Sequence, residues 1–195
     1  GISYQSINQW EHAARAFQEA VALEPTNAES YYNLGIARQS QGLLQEAIAA
    51  YKEAIKIYPS FWAAFNNLGN ALKAAGHMVD AEAQYRKALE IRPQFNGALR
   101  NLGLLMNNQK RFKEALEIFN SLLQSDPNDI DTLNNKGITL ACAEQQDRAI
   151  DTYLECLNRQ PHNSDVLNNL GLSYQAVGRI DDAVNCLKQA LKIRP

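Results

Sequence analysis

The chain has 195 residues, 21 % of them charged, and a formal net charge of −2. Its basic residues are dispersed, with no run longer than pairs such as Lys110-Arg111, which argues against nucleic acid as the main ligand. No apolar stretch reaches the roughly 20 residues of a transmembrane helix and no signal-peptide pattern is present, so membrane insertion is not expected and a cytoplasmic location is.

The six prolines of the chain, Pro25, Pro59, Pro93, Pro127, Pro161 and Pro195, stand 34 residues apart. A fixed period of that length predicts a solenoid of one repeated supersecondary unit. With proline at position 32, residues 1–27 form a partial unit, and further units follow at 28–61, 62–95, 96–129, 130–163 and 164–195. The partial unit carries Gly1 at position 8, Ala13 at 20, Phe17 at 24 and Ala20 at 27. The same four positions hold Gly35, Ala47, Tyr51 and Ala54 in the next unit, then Gly69, Ala81, Tyr85 and Ala88. They continue as Gly103, Ala115, Phe119 and Leu122, as Gly137, Ala149, Tyr153 and Cys156, and as Gly171, Ala183, Leu187 and Ala190.

Each unit reads as two amphipathic helices. In 62–95 the first half places Phe65, Leu68, Gly69 and Leu72 on one face, and the second half does so with Ala81, Tyr85, Ala88 and Leu89. Both follow the i, i+3/i+4, i+7 spacing. Glycine inside a helix costs on the order of 1 kcal/mol relative to alanine. Its recurrence at position 8 predicts a close approach of backbones, with the alanines of position 20 as the facing surface. Proline ends the second helix. Thr26, Ser60, Asn128 and Asn163 are the N-cap candidates for the helices that follow, and Thr26 with Glu29 has capping-box spacing. Glu144 stands at position 15 where Gly42, Gly76 and Gly178 stand in other units. With Cys156 in the small-residue column, it marks 130–161 as the expected weakest segment. Arg38 and Lys136 fall at apolar positions, where their aliphatic stems are expected to snorkel. Trp10, Phe61, Trp62 and Phe95 lie at turns and are expected to pack between units.

The run aromatic/Leu-x-x-Leu-Gly-x-x-(Tyr/Leu), then Ala-x-x-x-(Tyr/Phe)-x-x-Ala, then Pro, closely resembles the tetratricopeptide repeat (TPR) over essentially the whole chain. The resemblance implies an all-α fold, a right-handed α-solenoid of helix-turn-helix repeats forming a single array. It also implies that positions 2, 5, 6, 9, 12 and 13 of each first helix line a concave face. Position 6 reads Asn33, Asn67, Asn101, Asn135 and Asn169, and position 5 includes Asn66, Arg100, Asn134 and Asn168. Asn70 adds position 9, and Lys73 and Asn107 add position 12. Asparagine is a mediocre helix former, so a column of it asks for a reason. Side-chain amides both donate and accept. Such a ladder could grip the main chain of an extended peptide, as in the array of the O-GlcNAc transferase that this chain resembles, with Lys73 and Arg100 supplying charge selectivity. Alternatively, the amides could bond neighbouring helices.

The carboxylate clamp of TPR co-chaperones does not fit. Arg100 and Asn135 satisfy two of its positions, but Leu104, Asp165 and Asn169 stand at the others. Starting from Asn66, the clamp's cation positions hold Asp131 and Asn135. The expected role is a non-catalytic scaffold for a protein or peptide partner. Two further roles stay open: a self-assembling platform, and the substrate-recognition arm of a larger enzyme such as a glycosyltransferase. No nucleophile–base constellation, phosphate loop or metal cluster is visible, and no cofactor is expected. Cys142, Cys156 and Cys186 lack metal spacing, as do His12, His77 and His162, and the cysteines read as free thiols. Neither end carries the polar cap usual in repeat arrays, so a fragment of a longer protein, or stacking on another copy, is expected.

Overall fold

The computed structural model describes residues 4–194, with side chains from Gln9 onward. The expected placement of Gly1 within a first helix and the closing role of Pro195 lie outside the described residues. The described residues are helical throughout, with turns between. Residues Tyr4–Leu23 form α1, Ala28–Ser40 α2, Leu44–Ile57 α3, Trp62–Ala74 α4, Met78–Ile91 α5 and Asn96–Asn108 α6. They are followed by α7 (Phe112–Ser125), α8 (Ile130–Cys142), α9 (Gln146–Arg159), α10 (Ser164–Ala176) and α11 (Ile180–Ile193).

The chain divides into two compact units, Gly1–Asn101 and Leu102–Pro195. In the first, α1 packs on α2, α2 on α3, α3 on α4 and α4 on α5, and α2 also meets α4 directly. Its core is alanine-rich: Ala37, Ala47, Ala54, Ala64, Ala71, Ala81 and Ala88 are fully buried around Tyr51, Leu68 and Tyr85. In the second, α7 through α11 pack in sequence and α8 also meets α10. Leu133, Leu140, Ala149, Ile150, Tyr153, Val166, Leu170 and Tyr174 form its core.

The position-8 glycines are explained differently from the sequence expectation. A Cβ on Gly69 would stand 2.6 Å from Cε1 of Tyr85, and one on Gly35 would stand 2.5 Å from Cε1 of Tyr51. Gly103 faces Phe119 and Gly137 faces Tyr153 in the same way. The nearest approach at these four is therefore helix backbone to the aromatic ring of position 24. At Gly171, opposite Leu187, the alanine backbone is also among the nearest atoms, with Ala183 O at 3.3 Å.

Each first helix ends in one motif. The N–H of position 15 donates to the carbonyl three residues back, and the N–H of position 16 donates to the carbonyl five back, as in Gly76→Lys73 (3.1 Å) and His77→Leu72 (2.9 Å). This is the Schellman arrangement, whose C′ residue needs left-handed backbone. Gly42, Gly76 and Gly178 supply it with φ of 80°, 86° and 78°. Lys110 and Glu144 adopt it with φ of 61° and 60°, so the turn is kept where the sequence lacks glycine. Each second helix ends where the residue before proline turns extended, as at Arg92 (φ −135°, ψ 88°). The following turn places the N-caps one residue later than expected at three of the four candidates. Asn27, Phe61 and Asp129 stand at the cap in place of Thr26, Ser60 and Asn128, whereas Asn163 caps as expected. Asn27 accepts from Ser30 N at 3.0 Å, which replaces the expected Thr26–Glu29 box.

Trp10 lies inside α1 rather than at a turn and is 37 % exposed, whereas Phe61, Trp62 and Phe95 pack as rings on rings. Trp62 meets Phe95 at 4.6 Å between centroids, and Phe61 meets Tyr32 at 4.8 Å. The Arg92 guanidinium lies 4.5 Å over the Trp62 ring. Arg38 is largely covered; it reaches Glu46 at 3.1 Å and Gln18 at 2.8 Å, so its charge is met by partners.

Candidate functional site

The first helices carry the polar residues singled out above, and their amides form a repeating bond. In the first unit Asn67 Nδ2 donates to Tyr32 Oη at 3.1 Å, and Asn101 Nδ2 donates to Asn66 Oδ1 at 2.9 Å. In the second, Asn169 Nδ2 donates to Asn134 Oδ1 at 3.0 Å. Each bond runs from position 6 to position 5 of the repeat before it. Asn67, Asn101 and Asn169 thus tie their helices to the first helix of the repeat before. These side chains are only half-buried, apart from Asn66, which is 7 % exposed. The bond consumes one of the two N–H groups of the Asn67, Asn101 and Asn169 amides. The Oδ1 atoms of Asn101 and Asn169 have no hydrogen-bond partner among the described residues, whereas Asn67 Oδ1 accepts from Asn66 at 3.2 Å.

The remaining candidates divide by what holds them. Asn70 Oδ1 accepts from the Tyr85 hydroxyl at 2.7 Å and so is engaged inside its own repeat. Asn107 Oδ1 is buried without a partner. The side chains of Asn33, Lys73, Asn135 and Asn168 make no hydrogen bond or ion pair among the described residues; the first three are half-buried and Asn168 is exposed. Arg100 is half-buried.

The sequence reading missed the hydroxyls of position 24. Tyr51 Oη donates to Gln39 Oε1 at 2.9 Å, just as Tyr85 donates to Asn70. Burial raises the phenol pKa of Tyr51, Tyr85 and Tyr153 well above the ordinary tyrosine range, so all three are neutral donors. The available signal was the pairing of Tyr at 24 with Gln or Asn at 12 or 9, visible only once the helices are paired. Among the cysteines, Cys142 is exposed, while Cys156 and Cys186 are buried. Burial pushes the Cys156 thiol up to about 11, with Glu155 adding to the rise and Arg159 opposing it. No group of three or more metal-ligating residues occurs among the described residues, and no described helix is long and apolar enough to cross a membrane.

The sequence model of the tetratricopeptide repeat family matches residues 1–60 and 62–130, and a second model of the same repeat matches 164–195. The chain belongs to the tetratricopeptide repeat family. A comparison with curated proteins returns no match. Among solved structures, a tetratricopeptide repeat protein from Parabacteroides merdae is similar with a TM-score of 0.87 at 19 % identity, covering 98 % of this chain and 77 % of that one. MamA from Desulfovibrio magneticus is similar with a TM-score of 0.78 at 20 % identity, over 85 % of this chain and 94 % of that one. YrrB, described as a TPR protein with an unusual peptide-binding site, is similar with a TM-score of 0.73 at 24 % identity, over 94 % of each chain.

Proposed function

We propose that this chain is a non-catalytic interaction scaffold that holds an extended peptide against the asparagine-bearing faces of its first helices. The observation that carries the reading is the fixed, half-spent amide. Asn67, Asn101 and Asn169 are oriented by the preceding repeat, yet Asn101 and Asn169 keep an unpaired carbonyl oxygen and a second N–H. An extended main chain offers a donor and an acceptor at every residue. Pre-oriented amides meet these with little loss of side-chain freedom. Lys73, half-buried and without an ion pair among the described residues, would favour an acidic residue in the peptide. The similarity to YrrB, whose description names a peptide-binding site, supports the same reading.

The test uses peptides selected from a random display library on the whole chain. Asn33→Ala and Asn135→Ala remove amides that make no side-chain bond among the described residues, so they probe binding without loosening the repeats. Asn101→Ala and Asn169→Ala remove both functions. Weaker binding in all four variants is expected. Unchanged affinity in folded Asn33→Ala and Asn135→Ala would remove the groove role.

A second reading rests on α11. Ile180, Val184, Leu191 and Ile193 are 56, 43, 65 and 41 % exposed, whereas Ile48 and Ile150, which match Val184 in other repeats, are buried. Stacking of a second copy on this helix would cover it. Mass that grows with concentration in light scattering supports that reading, and a strict monomer removes it.

A further inference from the structure

The repeats act as controls for one another at a recurring cavity. In the first unit Ile36, Gln39, Ser40, Tyr51 and Asn67 line one such hollow. In the second, the same positions of a later repeat, Ile138, Ala141, Cys142, Tyr153 and Asn169, line another of about 210 Å³, with Gln146, Leu172 and Ser173 completing it. The chemistry differs at one column. Gln39 accepts the Tyr51 hydroxyl, but its counterpart is Ala141, which has no polar atom to offer beyond its backbone. The Tyr153 hydroxyl accordingly has no hydrogen-bond partner among the described residues.

The Gln146 Nε2 is spent on the Ala141 carbonyl at 3.2 Å, and its Oε1 is buried out of an occupant's reach. Asn169 gives an N–H to Asn134 and keeps its Oδ1 unpaired. The Asn169 Oδ1 and the Tyr153 oxygen can each accept, so the cavity favours an occupant that brings a donor. Its walls are otherwise Ile138, Ala141, Leu172 and the Tyr153 ring, with Cys142 and Ser173 beside them. No charged residue lines it, so a charged occupant would lose hydration without compensation. The volume falls below the roughly 300–1,000 Å³ of drug-sized sites, which suits one side chain.

We propose that this cavity, framed by α8, α9 and α10, is a specificity pocket for one neutral aromatic side chain with an N–H or O–H at its tip, a tryptophan or tyrosine of the bound peptide. The inference rests on the peptide-binding reading above and deepens it. The Tyr153 hydroxyl and the unpaired Oδ1 of Asn169 are the groups that recognise the tip.

Fragments test it on the whole chain. Indole and phenol are titrated against protein carrying labelled methyls at Ile138, Ala141 and Leu172, beside 1-methylindole and anisole, which keep the ring and lose the donor. Indole and phenol are expected to shift these methyls, and their methylated forms to bind more weakly by about tenfold, the loss of one well-placed hydrogen bond. Ala141→Gln, which supplies the residue found at Gln39, should engage Tyr153 internally and weaken indole binding. Tyr153→Phe, a conservative change in a buried ring, should do the same. Equal binding of donor and methylated fragments, absence of any shift at the solubility limit, or indole binding indifferent to Ala141→Gln and Tyr153→Phe overturns the pocket. Asn33→Ala and Asn67→Ala touch no residue of this cavity. If they abolish peptide binding while fragments fail to bind, the groove stands and the pocket falls; fragment binding with peptide binding indifferent to Asn33→Ala and Asn67→Ala gives the reverse.

Discussion

Phe119→Tyr should stabilise the chain, and the other repeats say by how much. Phe119 is fully buried at position 24, as are Tyr85 (0 % exposed) and Tyr51 (1 %). Its ring lies on Gly103 as theirs lie on Gly69 and Gly35. The two tyrosines spend their hydroxyls on amide oxygens at 2.7 and 2.9 Å. At Phe119 there is no hydroxyl, and the amide at the position matching Gln39 is Asn107, whose Oδ1 is buried and unpaired. Adding the hydroxyl supplies the missing donor. A net hydrogen bond contributes about 1 kcal/mol, and relief of a buried unmet acceptor raises the ceiling to about 2 kcal/mol. For a chain of this length that is an increase of roughly 2–8 °C in melting temperature. The assay is urea denaturation followed by circular dichroism on four proteins: wild type, Phe119→Tyr, Asn107→Leu and the double variant. Asn107→Leu alone should cost little, because it removes an unsatisfied group. The gain from Phe119→Tyr should disappear in its presence, giving a coupling of about 1 kcal/mol. A Phe119→Tyr protein no more stable than wild type, or one whose gain survives Asn107→Leu, would refute the pairing.

Gly69→Ala should destabilise by about 1–3 kcal/mol, the usual range for overpacking, because the new methyl meets the buried Tyr85 ring at 2.6 Å; a thermal melt matching wild type would contradict the packing described. Glu144→Gly and Lys110→Gly should each stabilise by about 0.5–1 kcal/mol, the left-handed penalty less the added freedom of the unfolded chain, and a loss in either melt would count against the Schellman geometry there. Iodoacetamide at neutral pH should label Cys142 fast and Cys156 and Cys186 slowly, in line with their burial; equal rates on mass spectrometry would exclude it. Alkaline pH should lower the urea midpoint. The Cys156 pKa is raised from 9.0 to about 11, so the folded chain holds its proton while the unfolded chain releases it, and stability falls from about pH 9 towards 11. The raised phenols of Tyr51, Tyr85 and Tyr153 extend that fall above pH 10. A midpoint constant from pH 8 to 11 would show that these groups do not titrate differently on folding.

Helix pairing was legible from the prolines and the glycine and alanine columns, because each is imposed by backbone geometry that recurs every unit. The glycine partner was not. A column of alanines and a column of aromatics lie on the same second helix, and periodicity cannot say which of them the glycine faces. The N-caps slipped by one residue because the turn after Pro25, Pro59 and Pro127 is set by backbone bonds such as Asn27 N–H to Glu24 O, not by the first small polar side chain available. Lys110 escaped notice as a left-handed residue, although it stands at the same position as Glu144. In the candidate site, the asparagine column was visible and its bonding was not. Asn66 and Asn67 are adjacent in sequence, but their principal partners lie 35 residues away. That distance carries no local signature.

The amide bond between repeats has a further consequence for how this chain can change length. Donor and acceptor lie at adjacent positions of the 34-residue period, so a duplicated copy with an acceptor at position 5 brings one of each. An inserted copy of 62–95 would close the same link on both sides, and the chain would elongate by a whole increment without redesign. Inserting a single residue into a first helix would instead turn everything after it by about 100° and break the chain of amides at that point. Growth or loss in whole copies is thus the change this architecture tolerates.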